Sequence, residues 1–202
     1  MLLKGREKLK LIGLDVDGVL SSMDSLHKAM KNGHAKSTYG EPHKMHVLQL
    51  GRIVKATGAK ILFTSSWRGG WRTVQMSDYL SAFDPTTTFE FVGRTPRFIG
   101  EERGKEIRWW LNTAKLKPNM FEHRTVEYKK EFMCWDHYVE LENMFIDVEK
   151  LVILDDDTDM KGVKQHFLHI DREHGLTEEL ANEAIRRLGG KVSKTILVKG
   201  GV

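Results

Sequence analysis

Leu9-Lys10-Leu11-Ile12-Gly13-Leu14-Asp15-Val16-Asp17-Gly18-Val19-Leu20 is the stretch on which the reading of this chain turns. An apolar run ends in two carboxylates two residues apart, and a glycine follows at once. Side chains of a strand alternate between faces, but at the strand's end the chain turns. Asp15 and Asp17 can then both lean into one site, with Gly18 allowing the sharp departure. Carboxylates crowded in this way repel each other and need a cation or a positive partner.

Working outward, further apolar strands alternate with helical patterns. Leu9 to Asp15 is the first strand. The polar stretch Ser21 to Pro42 reads as a loop or short flap. His43 to Thr57 has helical spacing, with Val47, Leu50, Ile53 and Val54 on one face and Gly58 as its stop. Lys60 to Thr64 is a short buried strand, Val74 to Phe83 a helix, and Thr88 to Val92 a third strand. Glu101 to Leu111 is a helix with Ile107, Trp110 and Leu111 facing inward. Leu151 to Leu154 is a continuous apolar strand ending in Asp155, Asp156 and Asp157, and Phe167 to Ile170 one more short strand. Thr177 caps a helix that reaches Leu188, with Gly189 as its stop. Residues 112–150 mix aromatics with many charges and read as an insertion into a single domain spanning 1–202. Near-continuous apolar strands alternating with helices imply an α/β fold: a three-layer, Rossmann-like parallel sheet of about five strands. Its ligand site is expected at the carboxyl ends of the strands, where Asp15/Asp17, Thr64/Ser65 and Asp155/Asp156 fall.

Composition narrows the class. The chain has 202 residues, 40% hydrophobic and 30% charged, as in a globular protein. No apolar run is long enough for a membrane span, and the N-terminus lacks the core of a signal peptide. A single cysteine, Cys134, excludes an internal disulfide and a zinc site built from cysteine pairs, and it fits a cytoplasmic location. The net charge of +4 favours phosphate-bearing ligands, but an ordinary basic surface explains it equally well. Nothing in the sequence sets the oligomeric state.

These polar clusters are the parts of a phosphoryl-transfer site. One carboxylate can attack phosphorus, a second can handle the proton, and a strand-end hydroxyl and a fixed cation can hold the phosphate oxygens. Further carboxylates supply the oxygen ligands that Mg2+ prefers. The chain resembles the haloacid dehalogenase (HAD) superfamily in four segments. Asp15-Val16-Asp17-Gly18 matches its first motif, and Ile61-Leu62-Phe63-Thr64, with Ser65 as neighbour, its second. Arg103-Gly104-Lys105 offers the helical cation, and Val152-Ile153-Leu154-Asp155-Asp156 matches the last motif. The resemblance implies a phosphatase with Asp15 as nucleophile and Asp17 as general acid/base. It also implies that Asp15, Asp17 (through its carbonyl), Asp156 and the supporting Asp155 hold Mg2+. Arg103 is preferred as the cation, one helical turn before Ile107, and Lys105 is the alternative; Thr64 and Ser65 are not separable.

Ser65-Ser66-Trp67-Arg68, Arg103-x-x-Glu106-Ile107-x-x-Trp110-Leu111, Ile153-Leu154-Asp155-Asp156-Asp157 and Gly175-Leu176-Thr177 are similar to a HAD branch associated with nucleic-acid repair and phage-type proteins. That branch implies a nucleotide or nucleic-acid end phosphate as substrate, with Ser65, Arg68 and Lys105 as candidate substrate contacts. A small-metabolite phosphatase and an inactive phosphate- or nucleic-acid-binding module are the alternatives. Aromatic faces and guanidinium planes suit nucleobases, so Trp67, Arg68, Trp71 and Arg72 can be read as a stacking surface. For Trp67 simple packing against the sheet is the slightly better reading. His43 and His46, one helical turn apart without a third ligand, read as surface residues.

Overall fold

A computed structural model of the chain describes residues 7–33, 41–113 and 146–192. Five strands form one parallel sheet: β1 (Glu7–Leu14), β2 (Lys60–Phe63), β3 (Phe91–Arg94), β4 (Ile146–Asp155) and β5 (Phe167–His169). Their spatial order is β3-β2-β1-β4-β5, so β1 lies at the centre. The expected parallel α/β architecture is the one observed.

Period-two alternation divides the strand residues between two cores. Ile12, Leu14, Ile61, Phe63, Val152 and Leu154 face one side and are fully buried. They pack under α2 (Lys44–Thr57), α3 (Thr73–Phe83) and α5 (Glu178–Arg187), through Val47, Leu50 and Ile53, Met76 and Leu80, and Ala181, Ala184 and Ile185. Leu11, Leu62 and Ile153 face the other side, against Ile107 and Trp110 of α4 (Arg103–Thr113). Both faces of the central strands are dry toward their carboxyl ends, which is why Leu11–Leu14 of β1 and Leu151–Leu154 of β4 read as unbroken apolar runs. Burying each such side chain is worth about 1.5–3 kcal/mol, so the sheet's middle is the most firmly held part of the fold.

Register sets up the site. Leu14 lies opposite Phe63 on one side and Leu154 on the other. The next residues, Asp15, Thr64 and Asp155, therefore emerge side by side. The Asp15 N–H donates to the Leu154 carbonyl at 3.0 Å, and the Thr64 N–H to the Leu14 carbonyl at 3.0 Å.

Several boundaries differ from expectation. The stretch read as a polar loop holds helix α1 (Met23–Lys31). Ser22 caps it: its hydroxyl accepts from the Ser25 N–H, while the Ser25 hydroxyl sits 3.0 Å from the Ser22 N–H. That Ser-x-x-Ser box was the available signal, outweighed in the reading by the polar composition around it. The third strand begins at Phe91, not Thr88, because Phe89 is buried in the core and Thr87 hydrogen-bonds Asp84. Helix α4 continues to Thr113 and β4 starts at Ile146, so both ends of the expected insertion are regular structure. Its remainder, 114–145, which includes Cys134, lies outside the described residues. The last strand stops at His169, one residue short of Ile170. Helix α5 has Thr177 as its cap, as expected.

Candidate active site

The carboxyl end of β1 delivers Asp15, which is buried. The end of β4 delivers Asp155, fully buried, and Asp156, half-buried. Asp15, Asp155 and Asp156 each offer an oxygen, and these three atoms lie within 4.8 Å of one another. Asp155 Oδ1 accepts the Asp157 N–H at 3.0 Å, but its Oδ2 makes no hydrogen bond among the described residues. Burial, then the Asp15 charge beside it, pushes the Asp155 carboxyl well above the usual carboxylate range, although Arg103 pulls the other way. Burial and Asp15 raise Asp156 as well. A largely buried cluster of three carboxylates, one oxygen of which makes no hydrogen bond among the described residues, is an all-oxygen donor set of the kind a hard divalent cation takes.

Arg103 is the cation built into this cluster. Its Nη1 donates to Asp15 Oδ1 at 2.6 Å, lies 3.1 Å from Asp155 Oδ2, and donates to the Thr64 carbonyl at 3.2 Å. The neighbouring carboxylates overcome its burial and hold its pKa above the ordinary arginine value. Its reach depends on Gly104. A Cβ there would sit 2.6 Å from the Met160 carbonyl carbon, so only glycine lets the start of α4 press against the chain leaving β4. The Arg103 N–H is fixed by Asp159 Oδ2 at 2.9 Å. Gly18 plays the matching part beside β1: its φ is +73°, and a Cβ would lie 2.5 Å from Asp156 Oδ2.

Asp17 stands next to this cluster rather than in it. Its Oδ2 accepts the Trp67 indole N–H at 2.9 Å, and its Oδ1 is 3.5 Å from the Ser21 hydroxyl. Burial raises its pKa, the Trp67 bond opposes that, and Asp15 adds to it.

The two strand-end hydroxyls, inseparable by sequence, have different surroundings. Ser65 Oγ accepts the Trp67 N–H and caps the single turn Ser66–Gly69. Thr64 Oγ1 is buried and has no hydrogen-bond partner among the described residues.

Arg68 departs from its expected place. It is buried, with its Nη2 2.6 Å from Glu106 Oε2, its Nε 3.0 Å from the Thr95 carbonyl, and further bonds to the carbonyls of Thr64, Ser65 and Pro96. Every guanidinium nitrogen is engaged inside the protein, so Arg68 clamps the β2 end to α4 and has no donor facing a substrate. Lys105 likewise points elsewhere, its ammonium pairing with Glu101 on the exposed side of α4. His46 is no surface residue: one ring nitrogen is 3.1 Å from Ser22 Oγ, the other 3.0 Å from the Leu176 carbonyl, and the ring ties α2 to the cap of α1.

Arg172 escaped the sequence reading. It follows β5, is exposed, and sets its Nε 3.0 Å from Asp156 Oδ2. No local motif marks it; the only signal is its position just past the carboxyl end of a strand, the end of the sheet where the acids gather.

Residues 11–181 match the family described as the HAD domain in Swiss Army Knife RNA repair proteins. Among solved structures, the HAD domain of effector protein Lem4 from Legionella pneumophila is similar, at 14% identity over 92% of this chain and 97% of that one, with a TM-score of 0.43. Comparison with curated protein sequences gives no match.

Proposed function

The chain belongs to the family of HAD domains found in Swiss Army Knife RNA repair proteins, and from that premise we propose that it is a Mg2+-dependent phosphatase acting on the phosphate monoester of a nucleotide or nucleic-acid end. The observation that carries this reading is the convergence of Asp15, Asp155 and Asp156 on one point, with Arg103 bridging two of them.

The residues divide the work as follows. Asp15 attacks phosphorus, forming an aspartyl-phosphate as the bond to the leaving oxygen breaks. Asp17 gives that oxygen a proton and then takes one from the water that hydrolyses the aspartyl-phosphate. The Thr64 hydroxyl, free of protein partners among the described residues, donates to a phosphate oxygen. Arg103, whose Nη1 donates to Asp15 Oδ1, orients that carboxylate and offsets the charge of the incoming phosphate. Asp15, Asp155 and Asp156 would hold Mg2+, which as a Lewis acid offsets charge on the phosphoryl oxygens. The nucleic-acid side of the reading rests on the RNA repair proteins in which the family occurs and on the net charge of +4.

The test is turnover of 4-nitrophenyl phosphate and of a 3′-phosphorylated oligonucleotide, with Mg2+ and with chelator. Wild type is expected to need Mg2+ for both, and Asp15→Asn to lose about 10⁴-fold or more while keeping its fold. Substantial turnover by Asp15→Asn refutes the nucleophile. Turnover of free phosphomonoesters without a preference for the oligonucleotide, and without steep salt dependence, favours a metabolite phosphatase instead.

A further inference from the structure

The Trp67 indole N–H, 2.9 Å from Asp17 Oδ2, has a consequence for the proton that Asp17 moves. An indole N–H only donates. In a neutral carboxyl the carbonyl oxygen is the stronger acceptor and the hydroxyl oxygen the weaker, so the bond to the indole N–H favours Oδ2 as the unprotonated oxygen. The proton of neutral Asp17 is therefore directed to Oδ1. That oxygen's own neighbour is the Ser21 hydroxyl at 3.5 Å, which can donate to the Val16 carbonyl (3.4 Å) instead and leave Oδ1 free to give its proton away.

Trp67 is also well held. It lies in the single turn that Ser65 caps, packs against the core, and meets Trp71 with ring centroids 5.8 Å apart. Trp71 in turn meets Tyr79 at 5.1 Å. A donor braced by other rings keeps its direction as the site works.

We propose that Trp67 is a positioning residue that fixes the Asp17 carboxyl so that Oδ1, and not Oδ2, passes the proton to the leaving oxygen. This rests on the phosphatase reading above. In the step concerned, the bond from phosphorus to the leaving oxygen breaks, the bond from Asp15 to phosphorus forms, and the proton on Asp17 Oδ1 goes to the departing oxygen. Hydrolysis reverses the proton's path: water attacks phosphorus, the Asp15 bond breaks, and Oδ1 recovers a proton.

The test exploits leaving-group chemistry. 4-Nitrophenolate departs without a proton, whereas an alkoxide such as a ribose oxygen needs one. The value of kcat/KM covers the steps up to departure of the leaving group. Trp67→Phe keeps the ring and removes only the N–H. It is expected to shift the ratio of kcat/KM for 4-nitrophenyl phosphate to kcat/KM for an alkyl phosphate by about 10- to 100-fold, against the alkyl ester. An independent readout comes from 15N-labelled protein: Asp17→Ala should move the Trp67 indole N–H resonance and not those of Trp109 and Trp110, which pack in the other core. An unchanged ratio in Trp67→Phe, or an unmoved Trp67 resonance, overturns the inference while the phosphatase reading stands. Wild type inert toward both esters, or an active Asp15→Asn, overturns that reading and the inference with it.

Discussion

Asp84 and Asp155 are both buried carboxylates at the end of a regular element, and they behave in opposite ways. Burial raises the pKa of each. At Asp84, hydrogen bonds from Thr86, Thr87 and Lys55 more than reverse this, and the carboxyl falls below its ordinary value. At Asp155, Oδ2 has Arg103 at 3.1 Å but makes no hydrogen bond among the described residues, and a second carboxylate adds to the rise. Burial is common to the two; the supply of hydrogen-bond donors differs. A buried carboxylate short of donors costs stability, and here it falls where three acids meet at the carboxyl end of the sheet.

The comparison breaks most sharply on Asp155→Asn. If the acid cluster serves a cation, this variant should lose about 10³-fold or more in Mg2+-dependent turnover. Its melting temperature without metal should not fall, because a mutual repulsion has been removed. Mg2+ at a hundred times its Kd should stabilise wild type by about 2.7 kcal/mol and the variant by much less, measurable as a shift in Tm. A metal-free Asp155→Asn that melts well below wild type would mean that the cluster is structural after all.

Asp84→Ala should show the reverse pattern. It leaves the buried Thr87 hydroxyl without its acceptor and takes a charged partner from Thr86 and Lys55, and is expected to cost about 1.5–3 kcal/mol in urea unfolding. Turnover per folded molecule should not change.

A smaller effect sharpens the contrast through pH. A carboxylate whose folded pKa is depressed adds stability above its unfolded value, near 3.8, and loses it as pH falls through the folded value. The Tm difference between wild type and Asp84→Asn should therefore be full at pH 6–7 and shrink below about pH 4. A difference that persists undiminished at pH 2 would show that the Asp84 charge is not what the donors bind.

Much of this was legible in the chain itself. The strand ends at Asp15, Thr64 and Asp155 could be read because both faces of the central strands are buried, which leaves unbroken apolar runs that stop where polarity begins. Helix α2 was legible from Val47, Leu50 and Ile53, and its stop from Gly58, which does take a left-handed conformation at φ +66°. Helix α1 was missed because its short apolar stripe, Met23, Leu26 and Met30, lies within a polar stretch, and of its residues only Ser25 and Leu26 are buried. Arg68 was not legible for a different reason. An arginine beside a tryptophan has the same composition whether it faces a base or an acid inside the fold, and the structure pairs it with the buried Glu106.

What the sequence determined by itself was the inventory: which strands end in acid or hydroxyl, in what order, and that they share one edge of a parallel sheet. What only the tertiary structure decided was direction. Trp67 and Arg103 reach Asp17 and Asp15 across 50 and 88 residues of chain. Sheet register and the close packing of Gly104 put them there, while the Thr64 hydroxyl has no hydrogen-bond partner among the described residues and Ser65 spends its own on a cap. Hydrogen bonds are lost over a few tenths of an ångström and tens of degrees, and residue spacing along the chain carries no information at that scale.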